Sequence, residues 1–134
     1  MANQFDDIQI DPNSWAFLEL QDRDAWIVFT PVFGSLTVIG ATSYSGRLRV
    51  VGRQCQFQVQ FSAATSIASV AGTDYLTLPI TASAGGLAGI ATMTNDTSNI
   101  AVGVCHIDVA TSACYLPAQS ASGNVFTICG SYEI

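Results

Sequence analysis

The most constraining feature of the sequence is a strict alternation of apolar and polar residues in RQCQFQVQF, at 53–61. Cys55, Phe57, Val59 and Phe61 occupy every second position, and glutamines fill the gaps. Because successive side chains of a β-strand point to opposite faces of a sheet, this spacing predicts a strand with one face toward a core and one face of glutamine. A strand face in open water usually carries some Lys, Glu or Thr, and this one is uncharged.

The rest of the chain carries the same β signal and no helical one. Short runs rich in Val, Ile, Thr, Phe and Tyr are separated by clusters of Gly, Ser, Asn and Asp. The predicted strands are 25–30, 35–39, 46–51, 54–62, 66–70, 75–79, 87–94, 99–109, 113–116 and 125–132, with breaks that include 45–46 and 120–124. This spacing predicts an all-β fold, an antiparallel β-sandwich or barrel, with a jelly-roll-like sandwich preferred, although spacing does not fix the strand order.

Composition indicates one domain that hides part of its surface in an assembly. A chain of 134 residues suits a single domain. Only 10% of its residues are charged, against about 25% in average soluble proteins. Because charged side chains keep separately diffusing proteins apart, we expect a chain with so few of them to bury surface against other subunits.

The negative charge is concentrated at the N-terminus. Residues 1–24 contain six of the ten acidic residues and sum to a net charge of −5. The chain therefore divides into an acidic N-terminal arm, 1–24, and a β-sandwich domain, 25–134. Four apolar residues of the arm could anchor it on a neighbouring subunit: Trp15, Phe17, Leu18 and Leu20. The alternative is a disordered start followed by an ordinary edge strand.

Several functional classes lack their usual signals. Outside the arm the basic residues are Arg47, Arg49 and Arg53, and the chain has no lysine, so we expect no nucleic-acid partner. No segment has the 18 or more apolar residues of a membrane span. The start MANQFDDIQID lacks the basic and apolar regions of a secretory signal. We expect a protein made in the cytoplasm, with no membrane partner.

The four cysteines match no known metal or redox pattern. Cys55, Cys105, Cys114 and Cys129 form neither a C-x-x-C pair nor a zinc-binding spacing with the single histidine. We expect them to be small buried residues with free thiols. A disulfide is the second interpretation and a metal site the third.

Catalytic chemistry also finds little support. His106 and Asp108 are two apart on one predicted strand face and could orient an imidazole, but no nucleophile motif or second histidine accompanies them. The preferred interpretation is a surface or interface hydrogen-bonding pair, and the alternative is a metal site or a pH switch. The sequence does not place two carboxylates for glycoside hydrolysis. We therefore predict no enzyme activity, no catalytic or metal-binding residue and no cofactor.

Short motifs follow one another in a set order. They are WIVFTP at 26–31, SGRLRVVG at 45–52, the alternating strand, LTLP at 76–79 and a closing ICGSY at 128–132. This order resembles a β-domain of tailed-bacteriophage virion proteins, found at tail-fibre tips, in minor tail proteins and in small head-surface proteins. Leu48 and Cys55 depart from the pattern, since the family usually has Tyr and an aliphatic residue there. Gly46 and Gly52 are predicted to stand in tight turns that bracket a short strand.

The resemblance implies a non-enzymatic β-sandwich that assembles as a homotrimer on the virion surface. Because only about 25 residues precede the β-domain, too few for a long fibrous shaft, we expect a head decoration (cement) protein. Its partners would be copies of itself and the major capsid protein or other virion proteins. The four apolar arm residues would form the capsid-docking arm.

The alternative is a tail-fibre or tail-tip module that recognises a glycan or protein of the host surface. The aromatic residues that could form a sugar-stacking surface are Trp15, Trp26, Tyr44, Tyr75 and Tyr115.

The uncharged strand face is interpreted as a contact between subunits. Glutamine amides both donate and accept hydrogen bonds, so identical chains can pair them across a symmetry axis without burying charge. The predicted subunit interface is Gln54, Gln56, Gln58 and Gln60. The alternative is a solvated strand.

Overall fold

The computed structural model describes residues 26–83 and 89–134. These residues form ten strands and no helix: β1 Ile27–Phe29, β2 Phe33–Gly34, β3 Thr37–Ile39, β4 Thr42–Val51, β5 Gln54–Ser69, β6 Tyr75–Thr77, β7 Ile90–Asn95, β8 Ile100–Asp108, β9 Ala113–Tyr115 and β10 Gln119–Glu133. Every strand pair is antiparallel. The predicted all-β, antiparallel class is therefore confirmed, while the predicted arm, 1–24, lies outside the described residues.

A long hairpin forms the centre of the sheet. β3 and β4 pair with β5 in one register, from Thr37 opposite Ala68 to Val51 opposite Gln54. The two-residue turn at its end begins with Gly52, whose φ of 62° lies in the left-handed region, as the first position of a type II′ turn requires. The turn predicted at Gly52 is confirmed.

The turn predicted at Gly46 is wrong, because Gly46 lies inside β4. It stands opposite Phe29 of β1 and Val59 of β5. A Cβ atom here would come within 2.9 Å of the Phe29 ring and 3.0 Å of Pro31. The position needs glycine because a ring and a proline cover its Cα, a close approach that only a missing side chain allows.

Two strands are longer than the turn residues indicated. β5 runs through Ala63 and Ala64, where a break was expected, because β3 and β4 continue to pair along one side of it. The expected break at 120–124 lies within β10, where the pairing with β5 shifts register on both sides of Gly123. A bulge absorbs the small polar residues there, and the strand continues.

The strand order shows a sheet that curls on itself. The order is β1-β4-β5-β10-β7-β8-β9-β6-β2, with β3 also on β5. β8 pairs with β7 up to Cys105 and with β9 from His106 onward, so it is a corner strand shared by two half-sheets. β1 and β2 end the sheet on opposite sides, yet only residues 30–32 separate them. Because the four steps from Phe29 to Phe33 span at most about 14 Å, the two edges lie close together, and the sheet curls around the core.

The inner face of this curl is a single hydrophobic core. The apolar face of the alternating strand is at most 1% exposed, which confirms the inward face predicted for it. Phe61 packs against Phe126 of β10 and against Phe33 of β2, with ring centroids 5.6 and 4.7 Å apart. Phe33 belongs to the far edge of the sheet, so this contact joins the two half-sheets. Each large apolar side chain buried in this way contributes about 1.5–3 kcal/mol.

The closing Gly-x-Tyr motif has a structural role. A Cβ atom at Gly130 would lie 2.6 Å from the Cβ of Ala91 and 2.8 Å from the Phe57 ring. The buried hydroxyl of Tyr132 donates to the carbonyl of Ile80 at 2.7 Å and accepts from its N–H at 3.0 Å. Tyr132 thus fixes the segment after β6 to the last strand, and Gly130 leaves room for the strand pairing.

Candidate functional site

The glutamine face lies on the outside of β5. Gln54 and Gln60 are exposed, and Gln56 and Gln58 are half-buried. The structure thus places all four glutamines on the outer face, as the alternation predicted. Whether they form a subunit interface stays a prediction, because it concerns a second copy of the chain.

Arginines of the neighbouring strand reach across to two of these glutamines. Nε and Nη2 of Arg47 donate to Oε1 of Gln58 at 2.8 and 2.6 Å. Nε of Arg49 donates to Oε1 of Gln56 at 2.7 Å. Each pair stands directly opposite in the β4–β5 register, so the two-residue turn of the hairpin determines which arginine meets which glutamine.

A tryptophan completes the cluster. The guanidinium carbons of Arg47 and Arg49 lie 4.8 and 4.9 Å from the centre of the Trp26 ring. This distance is within the range of a cation–π attraction. We call these residues the arginine platform: Trp26, Arg47, Arg49, Gln56 and Gln58.

Sequence reasoning missed the platform, although a signal for it was present. By number alone, the three arginines of the β-domain are too few to bind a phosphate backbone, and this argument says nothing about their positions. The Gly52-Arg53 turn pairs Val51 with Gln54, and that register by itself places the arginines opposite the glutamines. The face described as uncharged on β5 is therefore flanked by two charges from β4.

The surface around the platform is concave. One depression of about 390 Å³ is lined by Val28, Arg47 and Thr127 among others. Another, of about 400 Å³, runs from Trp26 across β5 and β10 to Ile90 and Thr92 of β7. The lining combines hydroxyl and amide groups with exposed aliphatic side chains, and within the described residues it contains no carboxylate.

Large apolar side chains are exposed over much of the molecule. Val28 is 84% exposed, Val104 66% and Ile90 62%. The others are Ile27, Val32, Ile39, Tyr44, Val51, Val70 and Ile100. Scattered single side chains of this kind are normal on a monomer, but here the described residues contain only three arginines and four acidic side chains. The surface is thus apolar and weakly charged.

A second cluster consists of aromatic rings on the other half-sheet. Tyr115 of β9 lies 5.6 Å from Tyr75 of β6 and 6.5 Å from His106 of β8, measured between ring centroids. With Val104 and Pro117, the rings of His106 and Tyr115 border a depression of about 440 Å³. We call Tyr75, His106 and Tyr115 the aromatic corner. Of the other proposed stacking residues, Tyr44 packs on Phe33, and Trp15 lies outside the described residues.

The hydrogen-bonding pair expected of His106 and Asp108 does not form. The Asp108 carboxylate accepts instead from the hydroxyl of Thr111 at 2.9 Å and from the N–H of Ala110 at 3.0 Å. These two bonds, with a smaller effect of His106, hold the pKa of Asp108 below its usual value. Asp108 stabilises the β8–β9 turn, and the pair has no arrangement for acid–base chemistry.

Three of the four cysteines match their prediction. Cys55, Cys105 and Cys114 are buried free thiols. The hydrogen bond that the Cys114 thiol donates to Cys105, and then burial, raise the pKa of Cys114. Cys129 is exposed, so the expectation that it is buried is wrong. It stands opposite Gln58 in β10, and the period of two places it on the outer face between the inward-facing Ile128 and Gly130.

The described residues form neither a metal-binding cluster nor a membrane-spanning helix. No group of three or more His, Cys, Asp or Glu side chains within 26–83 and 89–134 is placed to hold a metal ion. No helix long and apolar enough to span a bilayer is found in that part of the chain. The predicted docking residues Trp15, Phe17, Leu18 and Leu20 lie outside the described residues.

Comparisons with protein-family models, with curated proteins and with solved structures found no match to this chain.

Proposed function

We propose that the protein is a non-enzymatic structural protein of a bacteriophage virion, a trimeric head decoration protein that stabilises the capsid. The observation that carries the proposal is the outer surface, where exposed aliphatic side chains lie among uncharged amides and hydroxyls. Such a surface is typical of a subunit that is permanently bound to other proteins in an assembly.

The weak charge of this surface supports the assembly. Around the axis of a trimer the same residues of three chains lie close together, so a charge there meets its own copies. The glutamine, threonine and aliphatic side chains of this surface avoid that repulsion, in contrast to Arg47 and Arg49 beside them. Exposed residues such as Val28 and Ile90 would lose contact with water in the trimer and stabilise it.

The virion setting rests on the motif resemblance. Its short motifs now have structural reasons: Gly46 accommodates β1, Gly52 turns the hairpin, Gly130 permits strand pairing and Tyr132 anchors the segment after β6. Each of these motif residues therefore has a role in forming the β-fold. In the proposed role, the arm at 1–24 and its apolar residues contact the major capsid protein.

Virions assembled with and without the protein test this role. Heads that lack it should release their contents at a lower temperature, and the purified protein added to empty capsids should restore resistance. The purified protein should bind capsids and ignore host cells. Heads of equal heat resistance with and without the protein would contradict the proposal.

The aromatic corner favours a second candidate function, recognition of a host surface glycan by a tail module. Tyrosine rings stack on sugar rings, and their hydroxyl groups offer hydrogen bonds. The depression beside Tyr115 presents one such ring together with an exposed His106. Binding of the labelled protein to host cells, abolished by Tyr115→Ala and retained by Tyr44→Ala, would support this function over capsid decoration. An absence of cell binding would exclude it.

A further inference from the structure

The arginine platform contains two cationic groups without an anionic partner in the described part of the chain. The polar contacts of Arg47 and Arg49 are with glutamine oxygens, and the remaining contact of each is with the Trp26 ring. Neither guanidinium is paired with a carboxylate of residues 26–83 or 89–134. A guanidinium offers five N–H donors, and no described residue accepts from either Nη group of Arg49.

Three of the four acidic side chains of the folded domain are engaged elsewhere. Asp74 accepts from the N–H of Val70. Asp96 accepts from the hydroxyls of Thr94 and Thr127. Asp108 accepts from the N–H of Ala110 and the hydroxyl of Thr111 in the β8–β9 turn. None of these three acids is a counter-charge for the platform.

The acidic arm ends at the platform. Residues 1–24 carry a net charge of −5, which is most of the −6 of the whole chain. Trp26, which both arginines contact, follows this segment after a single residue. The chain's largest negative charge is therefore tethered to a pair of arginines that no carboxylate of the described residues neutralises.

The tether is short enough for several acids to reach the arginines. Asp24, Asp22 and Glu19 precede Trp26 by two, four and seven residues. An extended chain spans at most about 3.6 Å per residue, so all three lie within about 25 Å of Trp26. A tether of this length gives an effective concentration on the order of millimolar, which favours the arm of the same chain over an acidic segment of another molecule.

We propose that the arginine platform is the docking site of the chain's own acidic segment, with Glu19, Asp22 and Asp24 as the counter-charges of Arg47 and Arg49. One exposed ion pair stabilises little. Here two arginines are held in place by amide oxygens and an aromatic ring, so several weak pairs form without further ordering of the arginines. This inference concerns a single chain and goes beyond the proposed function.

The absence of lysine gives a direct test. In the variant Arg49→Lys the only side-chain amine of the protein stands on the platform, with its charge retained. A water-soluble carbodiimide joins a carboxylate to an adjacent amine as an amide, with loss of water and conversion of the reagent to a urea. We expect one product of monomer mass in which this introduced amine is linked to Glu19, Asp22 or Asp24, identified by peptide mass spectrometry.

Matched variants make the result specific. Arg53→Lys places the same amine at the hairpin turn, away from Trp26, and should give at least five-fold less of the product. Unmodified protein reports any linkage through the α-amino group. Asp22→Asn combined with Asp24→Asn should reduce linkage in Arg49→Lys. Arg47→Lys provides a second platform amine if Arg49→Lys unfolds, as judged by circular dichroism.

Each other outcome would overturn the proposal. Linkage mainly between chains, seen as covalent dimers that mix isotope-labelled and unlabelled protein, would assign the platform to the arm of another copy. Linkage only to acids of the folded domain, or equal linkage in Arg53→Lys, would show that the platform does not select the segment. No linkage to residues 1–24 in either platform variant would show that the segment lies elsewhere.

Discussion

On the outer face, Gln56 and Gln58 have specific roles as hydrogen-bond acceptors for the arginines of β4. The Oε1 atoms of Gln56 and Gln58 accept from Arg49 and Arg47, so their amide groups are left mainly as donors. Oε1 of Gln58 accepts two bonds and has no lone pair left, whereas Oε1 of Gln56 accepts one and keeps one. In a contact between copies of this face Gln58 therefore acts as a donor, and Gln54, Gln56 and Gln60 can supply acceptors.

Changing the two central glutamines to glutamate tests whether the glutamine face is solvated or forms a subunit interface. In Gln56→Glu with Gln58→Glu, each carboxylate meets an arginine of its own chain, so stability of the monomer should change by about 0–1 kcal/mol in the favourable direction. If the face is the trimer interface, like charges meet at the axis and the trimer should dissociate. Light scattering with a thermal melt measures both. Thr73→Glu, in an exposed turn, is the control; a trimer that survives the double change would exclude this interface.

Cys129 should be the one thiol that reacts in the native protein. The three other cysteines are buried, and a thiol reagent attacks the thiolate form. Partial burial, and then Asp96, raise the pKa of Cys129, while Arg47 lowers it by less. The labelling rate should therefore rise with pH and reach half its maximum above the ordinary value of about 8.5.

Counting labelled thiols checks this prediction. The native protein should take up one label and the denatured protein four. Cys129→Ser should take up none while native. Rapid labelling of two or more sites in the folded protein would contradict the burial described for Cys55, Cys105 and Cys114.

Among the strands, β10 joins the central hairpin to the rest of the sheet. It lies between β5 and β7, pairing with β5 along most of its length. Its Tyr132 also fixes Ile80 through two hydrogen bonds. A change in this strand therefore affects the sheet and the segment after β6 together.

Tyr132→Phe should lower the free energy of unfolding by about 1–3 kcal/mol. The change leaves the N–H and carbonyl of Ile80 without their partner, and unpaired buried groups cost this much. Tyr44→Phe is the matched control, because Tyr44 lies at the surface against Phe33, and it should cost under about 0.5 kcal/mol. Urea unfolding of the three proteins provides the comparison; equal stability of both variants would contradict the role given to Tyr132.

Tyr132 should also make stability fall at alkaline pH. Burial, and then its hydrogen bond with Cys55, raise the pKa of Tyr132. The folded protein thus keeps this proton when an unfolded tyrosine, with a pKa of about 10, loses it. Stability from this group is complete below about pH 10 and declines above it. Unfolding measured from pH 8 to 11 should show a steeper decline in the unmodified protein than in Tyr132→Phe.

The elements divide into those that short-range patterns predict and those that distant contacts determine. The period-two pattern placed Phe57 and Phe61 in the core, and the turn at Gly52 followed from its sequence. Gly46 is predicted to lie in a turn because the sequence around it does not show why glycine is needed. The reason is the Phe29 ring, which lies against Gly46 from another strand. The division of β8 between two half-sheets has no local signal, since Cys105 and His106 differ only in which strand pairs with them.

The outer surface was harder to predict than the core for the same reason. A buried position is recognised by its own side chain, whereas a surface site depends on which strands are neighbours. Cys129 reads as a buried thiol in isolation, and only its position between Ile128 and Gly130 places it outside. The aromatic corner joins Tyr75, His106 and Tyr115 from three strands, so no spacing in the sequence brings them together.

For the whole molecule, stability should depend on protein concentration. The curled sheet leaves side chains such as Val28, Ile90 and Val104 in water, and a trimer that covers them adds its association energy to folding. We expect the melting temperature to rise by several degrees from 1 to 100 µM protein, with a trimeric mass by light scattering. A monomeric mass at micromolar concentration, or a melting temperature independent of concentration, would contradict the trimer.

The position of β10 in the sheet also affects biosynthesis. β5 and β7 leave the ribosome before β10 does, and until it arrives both of them present an unpaired edge. Exposed strand edges on a weakly charged chain readily pair with other nascent chains. The sheet cannot be completed in the order of synthesis, because its middle strand is translated after both neighbours. Polypeptides truncated before Gln119 should therefore be recovered in the insoluble fraction or bound to chaperones.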